Sequence, residues 1–464
     1  GMSYSDYIAR KLALTAPVGL DVLPRDMPMF DHQRALVRWA LRRGRAAIFA
    51  DTGLGKSRMQ IAWADAVTRE TGRPTIILAP LAVAAQTVHE GKSVGIEVHH
   101  VHDDAEVSDG ISITNYDRLH RFDCTRFGAV VLDESSVIKH HDAKTFSRLT
   151  DAFRATPYKL CATATPAPND WTELGTHAEF LGVCSRQEML AEYFCHDGAE
   201  TQVWRLKGHA RAAFWRWVAS WGAMVRRPSD LGFDDAAYAL PPLNVNQHTT
   251  LGDMAAANAA GFLFPVEAGS LSERRAARRS SIDGRVKSCA DMVNGNRRPW
   301  VIWCDLNAEG DALRAAIPDA VEIRGSDDAE VKERRLIDFA EGRIRVLVTK
   351  PSIAGFGLNW QHCADMAFVG VTDSYEAYYQ AVRRCWRFGQ TRPVNVHVFA
   401  SESEGSVVAN LARKEAEAKA MGEQLSAETH DAVQQEIFGA VRTVNTYAAN
   451  QSIAIPAWLK TEAA

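Results

Sequence analysis

The chain has 464 residues, enough for two or three compact domains, and its 46% hydrophobic and 24% charged content is ordinary for a globular protein. No apolar run approaches the roughly 20 residues needed to span a bilayer, and no signal-peptide pattern opens the sequence, so no membrane partner is expected and cytoplasm is the expected address. A net charge of -4 neither announces nor excludes nucleic acid, because a basic groove can be local.

From residue 28 to about 165, short apolar runs alternate with stretches of helical periodicity. AAIFA (46–50), TIILAP (75–80), GISITNY (110–116), GAVVLDE (128–134) and YKLCATA (158–164) read as buried strands that end on polar or small residues. That alternation predicts a parallel sheet covered on both faces. The next hundred residues break the rhythm and read as a helical insertion from about 180, basic in places. Within it Phe214, Trp217 and Trp221 share one helical stripe, which points to core packing rather than base stacking. The basic run ERRAARRSS (273–281) is open to two readings, a phosphate-binding patch or a solvated helix face. LPPLNVNQH, near 240, reads as an extended connector.

A second α/β series starts near 299 with PWVIWCDL, AVEIRG, IRVLVTK, DMAFVGV and VNVHVFA as strand candidates. An amphipathic helix, SVVANLARKEAEAKAMGEQL, follows after 401. The eight cysteines are scattered without a CxxC pair, and those in apolar runs read as buried free thiols. Cys184, Cys195 and His196 fit no familiar zinc spacing. VHHVHDD (98–104) reads as an exposed strand end rather than a metal site.

The chemistry is concentrated at a few strand ends. In ADTGLGKS (50–57), Thr52, Gly53, Leu54 and Gly55 form a Gly-rich turn between a strand and a helix start. Its backbone N–H groups can close around phosphate oxygens, helped by the positive end of the helix dipole. Lys56 would reach the β- and γ-phosphates, and the Ser57 hydroxyl would ligate Mg²⁺. Asp133 and Glu134, at the end of another apolar strand, suit a metal-holding carboxylate acting through water and a group that orients and deprotonates the attacking water. Phe30 and Gln33 precede the first core helix, where an aromatic ring can stack on adenine and an amide can read its edge. In QAVRRCWRFGQ (380–390), Arg384 and Arg387 are three residues apart, so one helical face can present both to a γ-phosphate on the opposite lobe.

FDHQ, ADTGLGKS, ILAP, ITNYD, LDESS, ATATP, GFGLN and QAVRRCWRFGQ occur in the order of the superfamily-two helicase motifs. RFGQ, TATPAPNDWTELG and MVRRPSD resemble the Swi/Snf-type branch of DNA translocases in particular. The resemblance covers roughly residues 28–400. It implies an α/β fold of two RecA-like parallel-sheet lobes in tandem, with a helical insertion and a helical C-terminal tail. The expected lobes are 1–235 and 236–400, followed by an extension over 401–464. It also implies ATP and Mg²⁺ as ligands and a nucleic-acid partner, double-stranded DNA first, with RNA or a single strand as the alternative motor substrate. A nucleic-acid-binding scaffold with a dead ATPase is the rival from another class. Carried over residue by residue, the resemblance gives Thr163, Thr165, Gly357, Asn359 and Gln380 coupling or junction roles.

Three departures stand out. The acidic motif reads Asp-Glu-Ser-Ser instead of ending in Ala-His or Ala-Asp. Pro351 and Ser352 replace the Thr and basic residue often found there, with Lys350 adjacent. Bulky accessory modules are minimal.

Overall fold

The computed structural model describes residues 19–438 apart from 52, 82, 137–142, 168–170, 199, 251–270, 355–358 and 373. Its strands, in chain order, begin with β1 (Arg45–Ala50), β2 (Thr75–Ala79), β3 (Val98–His100), β4 (Ile111–Asn115), β5 (Ala129–Asp133) and β6 (Tyr158–Thr163). A hairpin of β7 (Phe194–Asp197) and β8 (Glu200–Leu206) comes next, then β9 (Gly222–Val225). The second series is β10 (Leu243–Thr250), β11 (Trp300–Trp303), β12 (Ala320–Glu322), β13 (Val346–Thr349), β14 (Asp365–Phe368) and β15 (Val394–Ser401).

The first sheet has the order β3-β4-β2-β5-β6-β1-β9 and the second β10-β15-β14-β11-β13-β12. All pairings within both are parallel. Strands of Val, Ile, Leu and Ala buried on both faces produce this arrangement, because parallel strands need crossovers that cover the sheet. In the first lobe the faces are sealed by Leu36, Trp39 and Trp63 on one side and by Phe127, Phe153 and Phe214 on the other. In the second, Trp303, Phe339 and Trp360 fill one face and Val293, Trp300 and Leu313 the other. Among the described residues, no helix is long and apolar enough to cross a membrane.

Several local expectations change. The segment near 240 is more than a connector: β10 runs along the edge of the second sheet, pairing with β15 from Leu243↔Val394 to Thr250↔Ser401. The insertion is not wholly helical, since the β7–β8 hairpin sits between its helices Arg186–Tyr193 and Arg211–Ala219. Phe214 and Trp221 are buried, with Trp217 packed against them, so the stripe is core as its spacing indicates. In the basic run, Arg278 is neither a free phosphate contact nor a solvated side chain. It is buried against Asp305 and close to Glu404, while Arg279 stays exposed.

The C-terminal helix Gly405–Phe438 spans 34 residues and straps the two lobes together. Val407 and Leu411 belong to a second-lobe core, whereas Leu425, Val433 and Ile437 enter first-lobe cores. Arg42 Nη2 donates to the Ile437 carbonyl at 3.3 Å.

Candidate functional site

The neighbouring strands β5, β6 and β1 end on Asp133, Thr163 and Ala50, so their carboxyl ends bring the acidic pair, Thr163 and the Gly-rich turn side by side. Open α/β sheets place ligand crevices at this edge. Gly53 (φ 95°) and Gly55 (φ 79°) adopt left-handed backbone conformations that L side chains resist. Close approach adds a second constraint. A Cβ on Gly55 would stand 2.0 Å from Gln33 Nε2, and one on Gly53 would stand 2.9 Å from the backbone nitrogen of Phe388, in the other lobe.

Helix Lys56–Thr71 starts directly after this turn with Gly55 at its N-cap. Lys56 is buried, and its ammonium donates to the Ala50 carbonyl at 3.1 Å. Burial pushes its pKa down, opposed by the charges of Glu134 and Asp51. Asp133 accepts from Gln60 Nε2 at 2.8 Å, and its pKa is raised to about 6 by burial and then by the charge of Glu134. Among the described residues, Glu134 is the one non-glycine with positive φ, at 49°. Holding a side chain there costs roughly 1–3 kcal/mol and is found where surrounding structure enforces it. Glu134 Oε2 is buried with no hydrogen-bond partner among the described residues.

The acidic motif's departure acquires a local explanation. Ser135 Oγ hydrogen-bonds His177 Nε2 at 2.7 Å, and His177 meets the Phe49 ring edge-on in the core. The strand end carrying Asp133 and Glu134 is thus tied to helix Leu174–Phe180 through Ser135.

Phe30 is the N-cap residue of helix Asp31–Arg43, with no cap hydrogen bond from its own side chain, and the Gln33 side chain reaches back to its N–H. Gln33 Oε1 accepts from the Phe30 N–H at 2.9 Å, while Nε2 donates to the Leu54 carbonyl at 3.0 Å. Among the described residues, one Gln33 amide N–H and one lone pair stay available for a base. The Phe30 ring remains half-exposed beside Tyr238 and Phe388, with centroids at 5.1 and 6.2 Å.

Helix Tyr375–Val382 brings in the second lobe and ends before Arg384 and Arg387, which therefore lie on the turns that follow it and not on one helical face. Arg384 and Arg387 line the same cavity of about 250 Å³ as Phe30, Gln33, Gly53, Gly55, Lys56, Ser57, Asp133, Glu134 and Asn359. Burial lowers the pKa of both arginines, that of Arg387 to about 9 with help from the neighbouring Arg384 charge. Arg384 Nε donates to the Gln380 carbonyl at 3.0 Å. The inter-lobe seam continues through Thr165 Oγ1, which donates to Glu376 at 3.3 Å and accepts from Gln380 Nε2 at 3.4 Å. Thr163 Oγ1 accepts from the Thr165 N–H at 3.2 Å. Thr52 and Gly357 lie outside the described residues.

Residues that sequence reasoning missed sit on this same seam. Asp51 accepts from Tyr379 Oη at 2.6 Å and Arg383 Nη2 at 2.9 Å across the lobes. Tyr238 and Phe388 stack at 5.0 Å at the Phe30 end of the cavity. Asp51, Arg383 and Phe388 lie inside quoted motifs, but only the docking of the lobes reveals what each of them touches.

A separate inter-lobe cleft of about 600 Å³ is lined by Asn115, Tyr116 and Asp117 from the first lobe and by Lys332, Lys350, Ser352, Thr372 and Ser374 from the second. Lys350 and Ser352 therefore face this cleft rather than the smaller cavity. Among the described residues, no group of three or more His, Cys, Asp or Glu side chains is arranged to hold a metal by itself. The set Lys56, Ser57, Asp133, Glu134, Arg384 and Arg387 instead has the chemistry of a polyphosphate–metal site. Cations from both lobes, a hydroxyl and two carboxylates line one cavity, and one of the carboxylates carries an unpartnered buried oxygen among the described residues.

Comparison with known proteins agrees with this arrangement. Residues 32–216 match the SNF2-related domain and residues 301–389 the helicase conserved C-terminal domain, together more than half of the chain. The fold is similar to that of Dbp5 from S. cerevisiae, solved bound to RNA and ADP BeF3, at 12% identity over 87% of this chain and 94% of that one, with a TM-score of 0.55. The SWI2/SNF2 ATPase core of Sulfolobus solfataricus, solved in complex with dsDNA, aligns at 17% identity over 90% of this chain and 99% of that one, with a TM-score of 0.40. No curated protein matches the sequence. Two helicase-type lobes, matched in order and meeting at one polar cavity, place the chain in the Snf2-type branch of the superfamily-two helicases, as a nucleic-acid-dependent ATPase.

Proposed function

We propose that the protein is a motor that couples ATP hydrolysis to movement along double-stranded DNA. The observation that carries this reading is the cavity shared between lobes, with Lys56, Asp133 and Glu134 on one wall and Arg384 and Arg387 on the other. Lys56 and the turn N–H groups hold the phosphates of ATP, and Gln33 and Phe30 hold its base. Ser57, and Asp133 through water, are the residues that would hold Mg²⁺, which when bound neutralises charge on the β- and γ-phosphate oxygens. Glu134 orients the attacking water and takes its proton. Arg384 and Arg387 stabilise charge that develops on the transferred phosphoryl group, an effect worth roughly 10³–10⁵ in rate.

Stepping follows from differential affinity. A γ-phosphate gripped from both lobes favours the closed arrangement, and its loss removes that preference. If the open and closed arrangements grip a backbone differently, each cycle advances the motor. The larger cleft supplies the grip, with Lys332, Lys350 and hydroxyl groups facing its space. Such groups bind phosphates without reading sequence. The duplex reading is supported by the SNF2-related match and by the RFGQ ending at residues 387–390.

The decisive assay measures ATP hydrolysis with duplex DNA, single-stranded DNA and RNA side by side. Duplex DNA should stimulate most, and Lys56→Ala and Glu134→Gln should abolish the stimulated rate. Equal rates with and without nucleic acid would remove the motor reading, and a preference for RNA would replace duplex DNA as the track.

A further inference from the structure

Asp51 is the first residue after β1 and opens the Gly-rich turn, yet its carboxylate faces the other lobe. Its backbone N–H is anchored within the first lobe by the Val225 carbonyl at 3.1 Å. Each carboxylate oxygen accepts a bond from the second lobe, Oδ1 from the Tyr379 hydroxyl and Oδ2 from the Arg383 guanidinium. Arg383 immediately precedes Arg384.

The Arg383 side chain is 7% exposed, against 24% for Asp51. Its guanidinium carbon lies 4.4 Å from the centre of the Trp386 ring and 5.3 Å from that of Tyr379. Arg383 Nε and Nη1 find no acceptor among the described residues. The Asp51 carboxylate is therefore the acceptor that answers this buried charge, and only while the lobes are together. Separating them would return both groups to water. A buried pair of this kind adds little net stability, but it penalises any docking register in which the partners miss.

We propose that Asp51 and Arg383 form a latch that sets the register of the lobes, and so the distance at which Arg384 and Arg387 stand from Lys56. Both are positioning residues rather than groups that touch ATP. The inference rests on the ATPase reading above and adds to it a residue pair outside the phosphate cradle. Nucleotide binding depends mainly on the first lobe, whereas the chemical step depends on arginines from the second. Loss of register therefore falls on kcat before KM.

The test uses the full chain with Asp51→Asn, Arg383→Gln and the double variant, assayed with saturating duplex DNA over a range of ATP concentrations. A misplacement of about 1 Å at a reacting centre can cost about 10²-fold, so each single variant should lower kcat roughly 10- to 100-fold. KM for ATP should stay within about threefold, as expected when ground-state binding is spared. The double variant should be no slower than the slower single one, because both remove the same contact. Tyr379→Phe, which deletes one hydrogen bond and leaves the ring, should lower kcat in the same direction by less, and covers the case in which Arg383→Gln fails to fold. Unchanged kcat in Asp51→Asn, or losses that multiply in the double variant, would overturn the latch. Wild-type protein with no stimulated hydrolysis would instead overturn the ATPase reading, so the two failures are distinguishable.

Discussion

Each lobe holds a cluster of buried charge, and the cluster around Arg285 in the second is answered differently from the one around Lys56 and Glu134 in the first. In the second lobe, Arg285 is fully buried and every direction is answered. It bonds Glu309 and the carbonyls of Val369 and Arg278, donates to Ser281 Oγ at 2.9 Å and pairs with Glu404 at 3.2 Å. Glu309 in turn accepts from the backbone N–H groups of Asp305 and Leu306 at 2.9 and 2.7 Å. In the first lobe, Lys56 donates to one backbone carbonyl, and Glu134 keeps a buried oxygen without a partner among the described residues. The satisfied network joins helix to helix. The unsatisfied one is costly to bury and is the one a bound nucleotide would answer. Between these two clusters, charge satisfaction separates scaffold from site more sharply than burial does.

Substitutions can break this contrast. Arg285→Met leaves Glu309 buried without its cation and Glu404 with only the more distant Arg278, so it should destabilise the protein by about 3–5 kcal/mol, read as a lowered denaturation midpoint. Lys56→Met should do the reverse. It removes an ammonium whose pKa burial already depresses, so stability should hold or rise while stimulated hydrolysis disappears. Comparable destabilisation by the two substitutions would erase the distinction.

A smaller effect should appear with pH. The folded pKa of Asp133, about 6, lies above its ordinary value of 3.8. Between those values the folded chain binds a proton that the unfolded chain does not. This contribution to stability is full below about pH 3.8 and is lost as pH rises through about 6. Activity should run the other way, because the carboxylate form is the one that would hold the metal. Without excess Mg²⁺, the rate should fall up to about tenfold per pH unit below about 6, and added Mg²⁺ should shift that limb to lower pH. A flat profile between pH 5 and 7 would show that Asp133 does not control the rate.

The parts of the fold that were legible in sequence are those whose burial is written in apolar runs. Val130, Val131 and Leu132 announce β5, and Ile76, Ile77 and Leu78 announce β2. The edge strand β10 carries Asn244, Asn246 and Gln247, all exposed. Its strand character comes from backbone pairing with β15, which no side-chain pattern encodes. The four residues of β9 follow Trp221 in a segment of helical periodicity, so the added strand beside β1 was hidden. In the site, Gly53, Gly55, Lys56 and the acidic pair were legible because local chemistry demands them at fixed spacing. Asp51, Tyr238, Tyr379, Arg383 and Phe388 were not, since each acquires its partner from another segment or the opposite lobe. Arg278 misled for a related reason: a basic run has no mark that says which member turns inward to Asp305.

The central claim, that one nucleotide pocket is completed by both lobes, is tested most directly by measuring kcat for ATP hydrolysis by Arg384→Ala at saturating ATP and duplex DNA. The account predicts a loss of roughly 10³-fold or more while ATP binding persists. A kcat close to that of the unsubstituted protein would contradict it.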